Sequence, residues 1–294
     1  MAPEQQSPAG RRLLTGLIGA PIAMSASPAM HEEAADALSV RCHYHLIEVA
    51  GADQAGLRAL LDGVKRLGFA GVNVTFPYKE AVIPLLDELS ARAREVGAIN
   101  TVVVRDGRLV GYNTDTTGFE RAVADVVNSS RRGPVALVGA GGVGKAIAFA
   151  LASLGVAELC IFDTDHAKAA QLANQLHGRL TVRLADRAEH TLQDAVGLIN
   201  ATPTGMLPDR GMPVPEALLH GGLWVADAVY TPLWTPLLSA AKAKGARVMS
   251  GRDLAVHQAA DSFELFTGLR PSVAVMGSAF DGVMARRYAS AGQP

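Results

Sequence analysis

Cysteine, excess charge of one sign and long apolar runs are all scarce in this sequence of 294 residues. Its two cysteines, Cys42 and Cys160, are too few for a disulfide framework or a cysteine-based zinc site. The 27 Lys and Arg residues against 28 Asp and Glu residues leave no basic excess to neutralise a nucleic-acid backbone. The longest apolar runs fall short of the roughly 18 residues that cross a bilayer. We therefore expect a small dissolved ligand as the partner, with no nucleic acid and no membrane.

The amino-terminal segment and the histidines carry no signal for secretion or metal binding. Residues 1–12 are polar and contain no apolar core of a signal peptide, so we expect a loose tail on a soluble protein of the cytoplasm. His43 and His45 share one face of a predicted strand. No third ligand candidate lies near them in the sequence, so we predict an ordinary polar strand face and no metal site.

The first half of the chain alternates apolar strand patterns with helical ones. Ser27 is the expected N-cap of its helix, with Pro28 at the first helical position. Asp106 and Gly107 predict a hairpin turn between two short strands. The predicted strands are residues 13–18, 43–49, 69–75, 100–104 and 109–112, and the predicted helices are residues 27–38, 53–68 and 81–96.

The polar residues 129–133 indicate a boundary, after which the alternation becomes more regular. Strands separated by helices of this length predict parallel βαβ units. At roughly 150 residues per domain, the length also favours two domains. The predicted strands are residues 134–138, 158–163, 197–201, 223–228 and 247–249, and the predicted helices are residues 142–155, 167–177, 237–245 and most of 255–288.

A glycine-rich motif lies between the first predicted strand and the first predicted helix of the second half. It reads Gly139-Ala140-Gly141-Gly142-Val143-Gly144 and fits G-x-G-x-x-G. The first glycine permits a tight turn, the second admits a pyrophosphate close to the backbone, and the third lets helix and strand pack closely. The helix N-terminus adds free N–H groups. We predict a dinucleotide site there.

Asp163 ends the next predicted strand, where a carboxylate can accept hydrogen bonds from the ribose hydroxyls of a dinucleotide. A 2′-phosphate about 4 Å away would meet a repulsion of order 4 kcal/mol per unit charge at an effective dielectric constant near 20, and less if the charges are solvated. Asp165 adds negative charge, and Lys168 is the first cation to follow. The sequence therefore predicts NAD as the cofactor, preferred over NADP.

Four polar clusters mark the ends of predicted strands in the first half. Each has an ordinary structural explanation when taken alone, because serines cap helices, Asn-Thr-Asp runs make turns and a lysine can begin a helix. The clusters are Ser25-Ala-Ser27-Pro28, Asn73-Val-Thr75-Phe-Pro77-Tyr-Lys79, Ala98-Ile-Asn100-Thr101 and Gly111-Tyr-Asn113-Thr-Asp115.

In combination, these clusters resemble the shikimate dehydrogenase family, including its quinate/shikimate members, along nearly the whole chain. Four motifs of the second half extend the resemblance: Val138-Gly-Ala-Gly-Gly142, Asn200-Ala-Thr-Pro-x-Gly205, Asp227-x-Val-Tyr-x-Pro232 and His257-Gln-Ala259. The family's Asn-Arg-Thr reader of NADP is replaced here by Asp163-Thr-Asp165, similar to NAD-preferring members. Those members often carry Thr at the second serine position, where this chain has Ser27, which argues against a quinate preference.

The resemblance implies roles for individual residues. The family's catalytic lysine and aspartate fall on Lys79 and Asp115. Its substrate contacts fall on Ser25, Ser27, Thr75, Asn100, Tyr230 and Gln258. Its cofactor contacts fall on Gly139, Ala140, Gly141, Gly142, Val143, Gly144, Asp163, Thr202, Val229 and Gly251.

The expected architecture is α/β with two domains and the active site in the cleft between them. Residues 13–117 would form a substrate-binding catalytic domain, with C-terminal helices at about 254–290 packing back on it. Residues 118–253 would form a doubly wound, Rossmann-like NAD-binding domain. We expect a monomer or homodimer that oxidises shikimate with NAD.

Three alternatives remain open. A quinate or dual quinate/shikimate dehydrogenase would tolerate a further ring hydroxyl. A catalytically idle NAD-binding regulator is disfavoured because it needs neither Lys79 nor Asp115. A folate-linked dehydrogenase of similar build is disfavoured by the paired serines.

Overall fold

A computed structural model describes residues 12–130 and 132–290 of the chain. Most of the predicted tail lies outside the described residues, and Arg12 is already the first residue of a strand. Two compact units divide the chain. Of the described residues, the first unit comprises those up to Arg94, Ala98–Thr114 and those from Ala259 onward, and the second comprises Glu95–Gly97 and those within Asp115–Gln258.

Strands and helices alternate through most of the described chain. In chain order they are β1 (Arg12–Gly19), α1 (Ser27–Ala37), β2 (Arg41–Glu48), α2 (Gln54–Arg66), β3 (Gly71–Val74), β4 (Glu88–Leu89), α3 (Ala91–Val96), β5 (Thr101–Arg105), β6 (Arg108–Tyr112), α4 (Thr114–Ser129), β7 (Val135–Val138), α5 (Gly142–Ser153), β8 (Glu158–Phe162), α6 (His166–Gln175), β9 (Thr181–Leu184), β10 (Gly197–Asn200), β11 (Trp224–Asp227), α7 (Pro236–Ala243), β12 (Arg247–Met249), α8 (Gly251–Thr267) and α9 (Val273–Ser290).

The first unit contains a mixed sheet in the order β2-β1-β3-β5-β6-β4. Strands β1, β2 and β3 run parallel, whereas β5 pairs antiparallel with both β3 and β6. Leu57, Leu61 and Val64 of α2 are buried in one hydrophobic cluster with Val72 and Val74 of β3. Their spacing of three and four residues gives the helix the apolar stripe that the sequence predicts.

The hairpin between β5 and β6 confirms the turn predicted at Asp106 and Gly107. Both residues have positive φ, at 51° and 73°, which is the conformation of a two-residue hairpin turn whose twist matches its strands.

The helix predicted over residues 81–96 is wrong. A 3₁₀ turn at Ile83–Leu85 and strand β4 replace its first part, and only α3 is helical. Pro84 disfavours helical backbone in the residue before it. The backbone of Asp87 then donates to Leu109 O at 3.0 Å, and its carboxylate accepts from Leu109 N at 2.7 Å. Pairing with the edge of β6 therefore prevails over helical periodicity.

The N-cap predicted for α1 is also wrong. Ala26 is the N-cap residue and makes no side-chain capping bond, so Ser27 is the first helical residue. Instead of capping the helix, the Ser27 hydroxyl accepts a hydrogen bond from the Ser25 hydroxyl.

The second unit contains six parallel strands in the order β12-β11-β10-β7-β8-β9. The chain extends the sheet in one direction from β7 to β9 and then returns to add β10, β11 and β12 on the other side of β7. This is the doubly wound, Rossmann-like order, and its direction reverses between β7 and β10. The predicted fold class is confirmed. Strand β9 and helix α4 are elements that the sequence interpretation omitted.

Two expectations about surface and membrane features can be compared with the structure. His43 and His45 lie on β2 with ring centroids 6.0 Å apart, and His43 Nδ1 is 3.4 Å from Glu32 Oε1. Among the described residues, no helix combines the length and the apolar character that crossing a bilayer requires.

Candidate active and cofactor sites

The glycine turn after β7 has the geometry that close backbone packing requires. Gly139 has φ +105°, and a Cβ placed on it would lie 2.8 Å from the carbonyl carbon of Ala201. A Cβ on Gly144 would lie 2.1 Å from Gly139 O, so α5 can begin this close to β7 only with glycine there. Gly139 N donates to Phe162 O at 2.8 Å, which fixes the turn against β8.

Gly141 differs from these two glycines because no atom of the residues that the structure describes lies within 4 Å of a Cβ placed on it. It is the N-cap of α5 at an ordinary φ of −72°, and it contributes no side-chain cap. The protein's own packing therefore does not demand glycine at this position. The open space faces a helix N-terminus, which attracts anions such as a pyrophosphate.

Asp163 holds the glycine turn from the end of β8. Its Oδ2 accepts from Ala140 N at 2.7 Å, and its Oδ1 accepts from Asp165 N at 2.8 Å. Asp165 in turn caps α6 and lies 3.7 Å from Lys168 Nζ. The nearest cation along the chain is thus already engaged by a second carboxylate.

A buried polar network holds the loops that follow β10 and β11. Asn200 Nδ2 donates to Asp227 Oδ1 at 2.9 Å, and the two Asp227 oxygens also accept from Val229 N at 2.9 Å and Thr235 Oγ1 at 2.7 Å. Asn200 Oδ1 accepts from Thr202 N and Thr202 Oγ1. Burial raises the pKa of Asp227 to about 6, although all three donors oppose that shift.

The sequence-predicted cofactor residues follow the carboxyl ends of five strands of this one sheet. Gly139–Gly144 follow β7, Asp163 follows β8, Thr202 follows β10, Val229 follows β11 and Gly251 follows β12. A Cβ on Gly251 would lie 2.6 Å from Ala228 O, so these last two segments are in close contact. The carboxyl edge at the reversal of strand order is where doubly wound sheets bind nucleotides.

In the first unit, Ser25 and Ser27 place two hydroxyls side by side. The Oγ atoms are 3.0 Å apart, and Ser25 Oγ also accepts from Ser27 N at 3.2 Å. Both residues are only partly buried. Two neighbouring hydroxyls can together donate to the two oxygens of one carboxylate.

Thr75 and Lys79 belong to a turn that begins where β3 ends. Tyr78 is buried in this turn, and its hydroxyl donates to Val49 O and accepts from Ala52 N, both at 2.9 Å. Lys79 O accepts from Ile99 N at 2.9 Å. The backbone on both sides of the partly buried Lys79 side chain is therefore fixed.

Asn100 is buried just before β5. Its Oδ1 accepts from Thr114 N at 2.7 Å, and its Nδ2 donates to Thr114 Oγ1 at 2.8 Å. Together these contacts define which end of the carboxamide is oxygen, because a backbone N–H can only donate.

Three other predicted site residues lie in the second unit. Asp115 is buried in the first turn of α4, while Tyr230 and Gln258 are partly buried. A Cβ on Gly118 would lie 2.8 Å from Gln258 N, so α4 and α8 approach closely at Gly118. Asp115 and Gln258 are thus carried on two helices in backbone contact.

Buried residues to which the sequence interpretation assigned no role contact one another in the first unit. Tyr44 donates through its hydroxyl to Asn73 Oδ1 at 2.9 Å, and its ring lies 4.6 Å from that of His31. Among the described residues, neither ring nitrogen of His31 has a hydrogen-bond partner, and burial lowers the pKa of His31 to about 3. The position of His31, three residues after the Ser25–Pro28 cluster, was the signal available in the sequence.

Three family models match successive parts of the chain. The shikimate dehydrogenase substrate binding domain matches residues 17–102, and shikimate / quinate 5-dehydrogenase matches residues 121–206. The shikimate 5′-dehydrogenase C-terminal domain matches residues 251–277.

Individual proteins are similar over nearly the whole chain. The shikimate dehydrogenase (NADP⁺) of Streptomyces avermitilis is 44% identical over 265 residues, covering 88% of this chain and 91% of the relative. The quinate/shikimate dehydrogenase (NAD⁺) of Corynebacterium efficiens is 43% identical, covering 91% and 97%. The structure of quinate dehydrogenase from Corynebacterium glutamicum in complex with NAD superposes with a TM-score of 0.84 at 40% identity, covering 92% of this chain and 99% of that one.

Proposed function

Since this chain belongs to the shikimate dehydrogenase family, we propose that it oxidises shikimate reversibly to 3-dehydroshikimate with NAD as the hydride acceptor. It is an oxidoreductase that acts on a CH–OH group, like the relatives named above. The single observation that carries the proposal is the pair of hydroxyls at Ser25 and Ser27, 3.0 Å apart, in a chain that also carries a dinucleotide-type glycine turn.

In the proposed complex, Ser25 and Ser27 bind the substrate carboxylate. Thr75 and Asn100 contact ring hydroxyls, and Tyr230 and Gln258 are the further substrate contacts that the family resemblance assigns. The fixed orientation of the Asn100 carboxamide supports its proposed role in substrate binding, because a side chain that is already held in place loses less conformational entropy when substrate binds.

Lys79 and Asp115 are the proposed catalytic residues. Lys79 takes part in the transfer of the proton between the reacting hydroxyl and the protein, and Asp115 orients it. A group in this role must come within hydrogen-bond reach of the reacting oxygen. The anchored backbone around Lys79 supports the assignment, because it limits where the ammonium group can reach.

The residues after the parallel strands suit a dinucleotide. Gly139 and Gly144 hold the turn tight, and the space in front of Gly141 admits a phosphate group to the N-terminus of α5. Ala140, Gly142 and Val143 complete the turn. Thr202, Val229 and Gly251 are the further proposed cofactor contacts. When bound, the cofactor supplies the hydride acceptor.

The proposed preference for NAD over NADP rests on Asp163. Two backbone N–H groups hold its carboxylate in place at the end of β8. Lys168, the nearest cation along the chain, forms an ion pair with Asp165. A ribose hydroxyl can donate to such a carboxylate, whereas a 2′-phosphate would be repelled by it. The relatives include both NAD⁺ and NADP⁺ enzymes, so the local carboxylates are the basis of the proposal.

We propose that one domain binds the substrate and the other binds the dinucleotide. Residues 13–117 with the helices at about 254–290 would form the substrate-binding catalytic domain, and residues 118–253 the dinucleotide-binding domain. The extents of the matched family models support this division.

Quinate oxidation to 3-dehydroquinate is the second candidate. The similarity to a quinate/shikimate dehydrogenase and to a quinate dehydrogenase favours it. Ser27 argues the other way, because quinate/shikimate members often have Thr there.

Initial rates with shikimate and with quinate, each with NAD⁺ and with NADP⁺, test the proposal. We expect the highest kcat/KM for shikimate with NAD⁺. A higher value with quinate would select the second candidate, and a higher value with NADP⁺ would refute the role of Asp163. If neither cofactor is reduced with either acid, the dehydrogenase proposal is wrong and a regulator that binds NAD without turnover is favoured.

A further inference from the structure

A buried serine from the C-terminal part of the chain contacts the polar groups around Asn100. Ser262 lies in α8 and is fully buried. Its Oγ is 3.0 Å from Thr101 Oγ1, 3.1 Å from Thr114 Oγ1 and 2.9 Å from Asn73 Nδ2. One hydroxyl thus joins residues that are 148 to 189 positions away along the chain.

The direction of these hydrogen bonds follows from donors that cannot act as acceptors. Thr114 N can only donate, so the atom of Asn100 that faces it is Oδ1 and the atom 2.8 Å from Thr114 Oγ1 is Nδ2. Thr114 Oγ1 accepts that bond, and its own hydrogen can then go to Ser262 Oγ. The amide orientation of Asn73 is also defined. The carbonyl oxygen of Asn100 can only accept, so the Asn73 atom 3.1 Å from it is the donor Nδ2.

The remaining bonds close a ring of four side chains. Thr101 Oγ1 donates to Asn100 Oδ1 at 3.2 Å, so its own oxygen is available to accept from Ser262 Oγ, 3.0 Å away. In the arrangement of hydrogens that agrees with the two directed bonds, each member donates to the next, from Asn100 through Thr114, Ser262 and Thr101 and back to Asn100. Such chains of hydrogen bonds polarise one another, so the ring is more stable than its separate members.

We propose that Ser262 is a positioning residue for Asn100: its hydroxyl closes the ring that holds the Asn100 carboxamide in the orientation needed to bind substrate. This inference rests on the proposed function, in which Asn100 contacts a ring hydroxyl. The ring uses one of the two Nδ2 hydrogens of Asn100, and the orientation of the amide decides where the other points. Ser262 acts through Thr101 and Thr114 and does not itself touch substrate.

The first test compares Ser262→Ala with the wild type in steady-state oxidation of shikimate. We expect the KM for shikimate to rise about five- to tenfold, the scale of one hydrogen bond, with the KM for NAD⁺ within twofold. Thr101→Val breaks the same ring at another member, and we expect it to have the same effect. Thr267→Val removes a different buried hydroxyl of α8, one that donates to Phe263 O, and should leave the KM for shikimate unchanged.

A double-mutant cycle separates positioning from general damage. In an Asn100→Ala background, Ser262→Ala should lower kcat/KM by less than a further twofold, because the group that it positions is already gone. A full multiplicative loss in the double variant would overturn the proposal. An unchanged KM in both Ser262→Ala and Thr101→Val would overturn it as well.

A readout without turnover keeps this inference separate from the proposed function. The Asn100 side-chain amide can be assigned in a ¹⁵N spectrum by its absence in Asn100→Ala. We expect slow hydrogen exchange of this amide in the wild type and at least tenfold faster exchange in Ser262→Ala, but not in Thr267→Val. Equal exchange in all three proteins refutes the ring, whereas inactivity of the wild type with shikimate refutes only the proposed function.

Discussion

Asp163 Oδ2 accepts a hydrogen bond from the backbone N–H of Ala140 at 2.7 Å, across the ends of neighbouring strands β8 and β7. The contact joins the carboxylate proposed to select the cofactor to the turn proposed to bind its phosphates. Selection and binding therefore depend on one local geometry. A change at Asp163 must be designed so that it alters the charge and keeps the contact with Ala140.

Asp163→Asn removes the charge, and its remaining carbonyl oxygen can still accept from Ala140 N, while the hydrogen bond from Asp165 N is lost. We expect the ratio of kcat/KM for NAD⁺ to that for NADP⁺ to fall about ten- to a hundredfold, since the repulsion of a 2′-phosphate disappears. Steady-state rates of the variant and the wild type with each cofactor measure this ratio.

Glu158→Gln is the matched control for Asp163→Asn. It removes one negative charge from the other end of β8, roughly 16 Å away at about 3.3 Å per residue, which exceeds the Debye length of about 8 Å at physiological salt. Its cofactor ratio should equal that of the wild type. An unchanged ratio in Asp163→Asn would show that the carboxylate does not select the cofactor.

The glycine turn offers two substitutions that separate binding from folding. Gly141→Ala should raise the KM for NAD⁺ at least tenfold and leave the free energy of unfolding within about 0.5 kcal/mol, because the new Cβ meets only open space. Gly144→Ala should destabilise the protein by about 2 kcal/mol or more, because its Cβ would lie 2.1 Å from Gly139 O. Urea unfolding and cofactor kinetics distinguish the two effects. A normal KM in Gly141→Ala would contradict phosphate binding at this turn.

Buried His31 predicts a loss of stability in acid. Because burial lowers its pKa from 6.5 to about 3, the unfolded chain binds the proton more tightly than the folded protein between these two values. Stability from this group is therefore present above pH 6.5 and is lost as the pH falls toward 3, by roughly 5 kcal/mol in total at about 1.4 kcal/mol for each pH unit.

Replacement of His31 by Phe removes the titrating group and keeps a ring against Tyr44. We expect the decrease in unfolding free energy between pH 7 and pH 4.5 to become smaller by about 2–3 kcal/mol than in the wild type. Met30→Leu, a neighbouring buried substitution that does not titrate, should change stability equally at both pH values. Urea unfolding at the two pH values measures this, and parallel curves for His31→Phe and wild type would exclude His31 as the cause.

Local signals in the sequence predicted the elements that depend on neighbouring residues. Short apolar runs predicted five of the six strands of the doubly wound sheet, all except β9. Asp106-Gly107 predicted the hairpin because such residues adopt positive φ at low cost. The helix predicted over residues 81–96 was wrong because its pattern competes with a strand edge 22 residues away, which local periodicity does not reveal.

The buried hydrogen-bond networks could not be predicted from the sequence either, because their members are far apart along the chain. Ser262 and Asn73 are 189 residues apart, and nothing in the sequence around either one indicates the other. Asn200 and Asp227 were noticed only as parts of motifs, and their hydrogen bond became visible when β10 and β11 were paired. Residue types at strand ends can thus suggest a site, whereas the partners that orient its members require the fold.

Turnover of Lys79→Ala tests the proposed chemistry most directly. It should be measured beside the affinity of the same variant for NAD⁺ by fluorescence titration, with Lys65→Ala, a lysine of α2 that lies 3.4 Å from Asp62, as control. We predict that kcat for shikimate oxidation falls at least a hundredfold while the Kd for NAD⁺ stays within twofold, because Lys79 assists proton transfer and does not hold the cofactor. Near-wild-type turnover in Lys79→Ala would contradict the account.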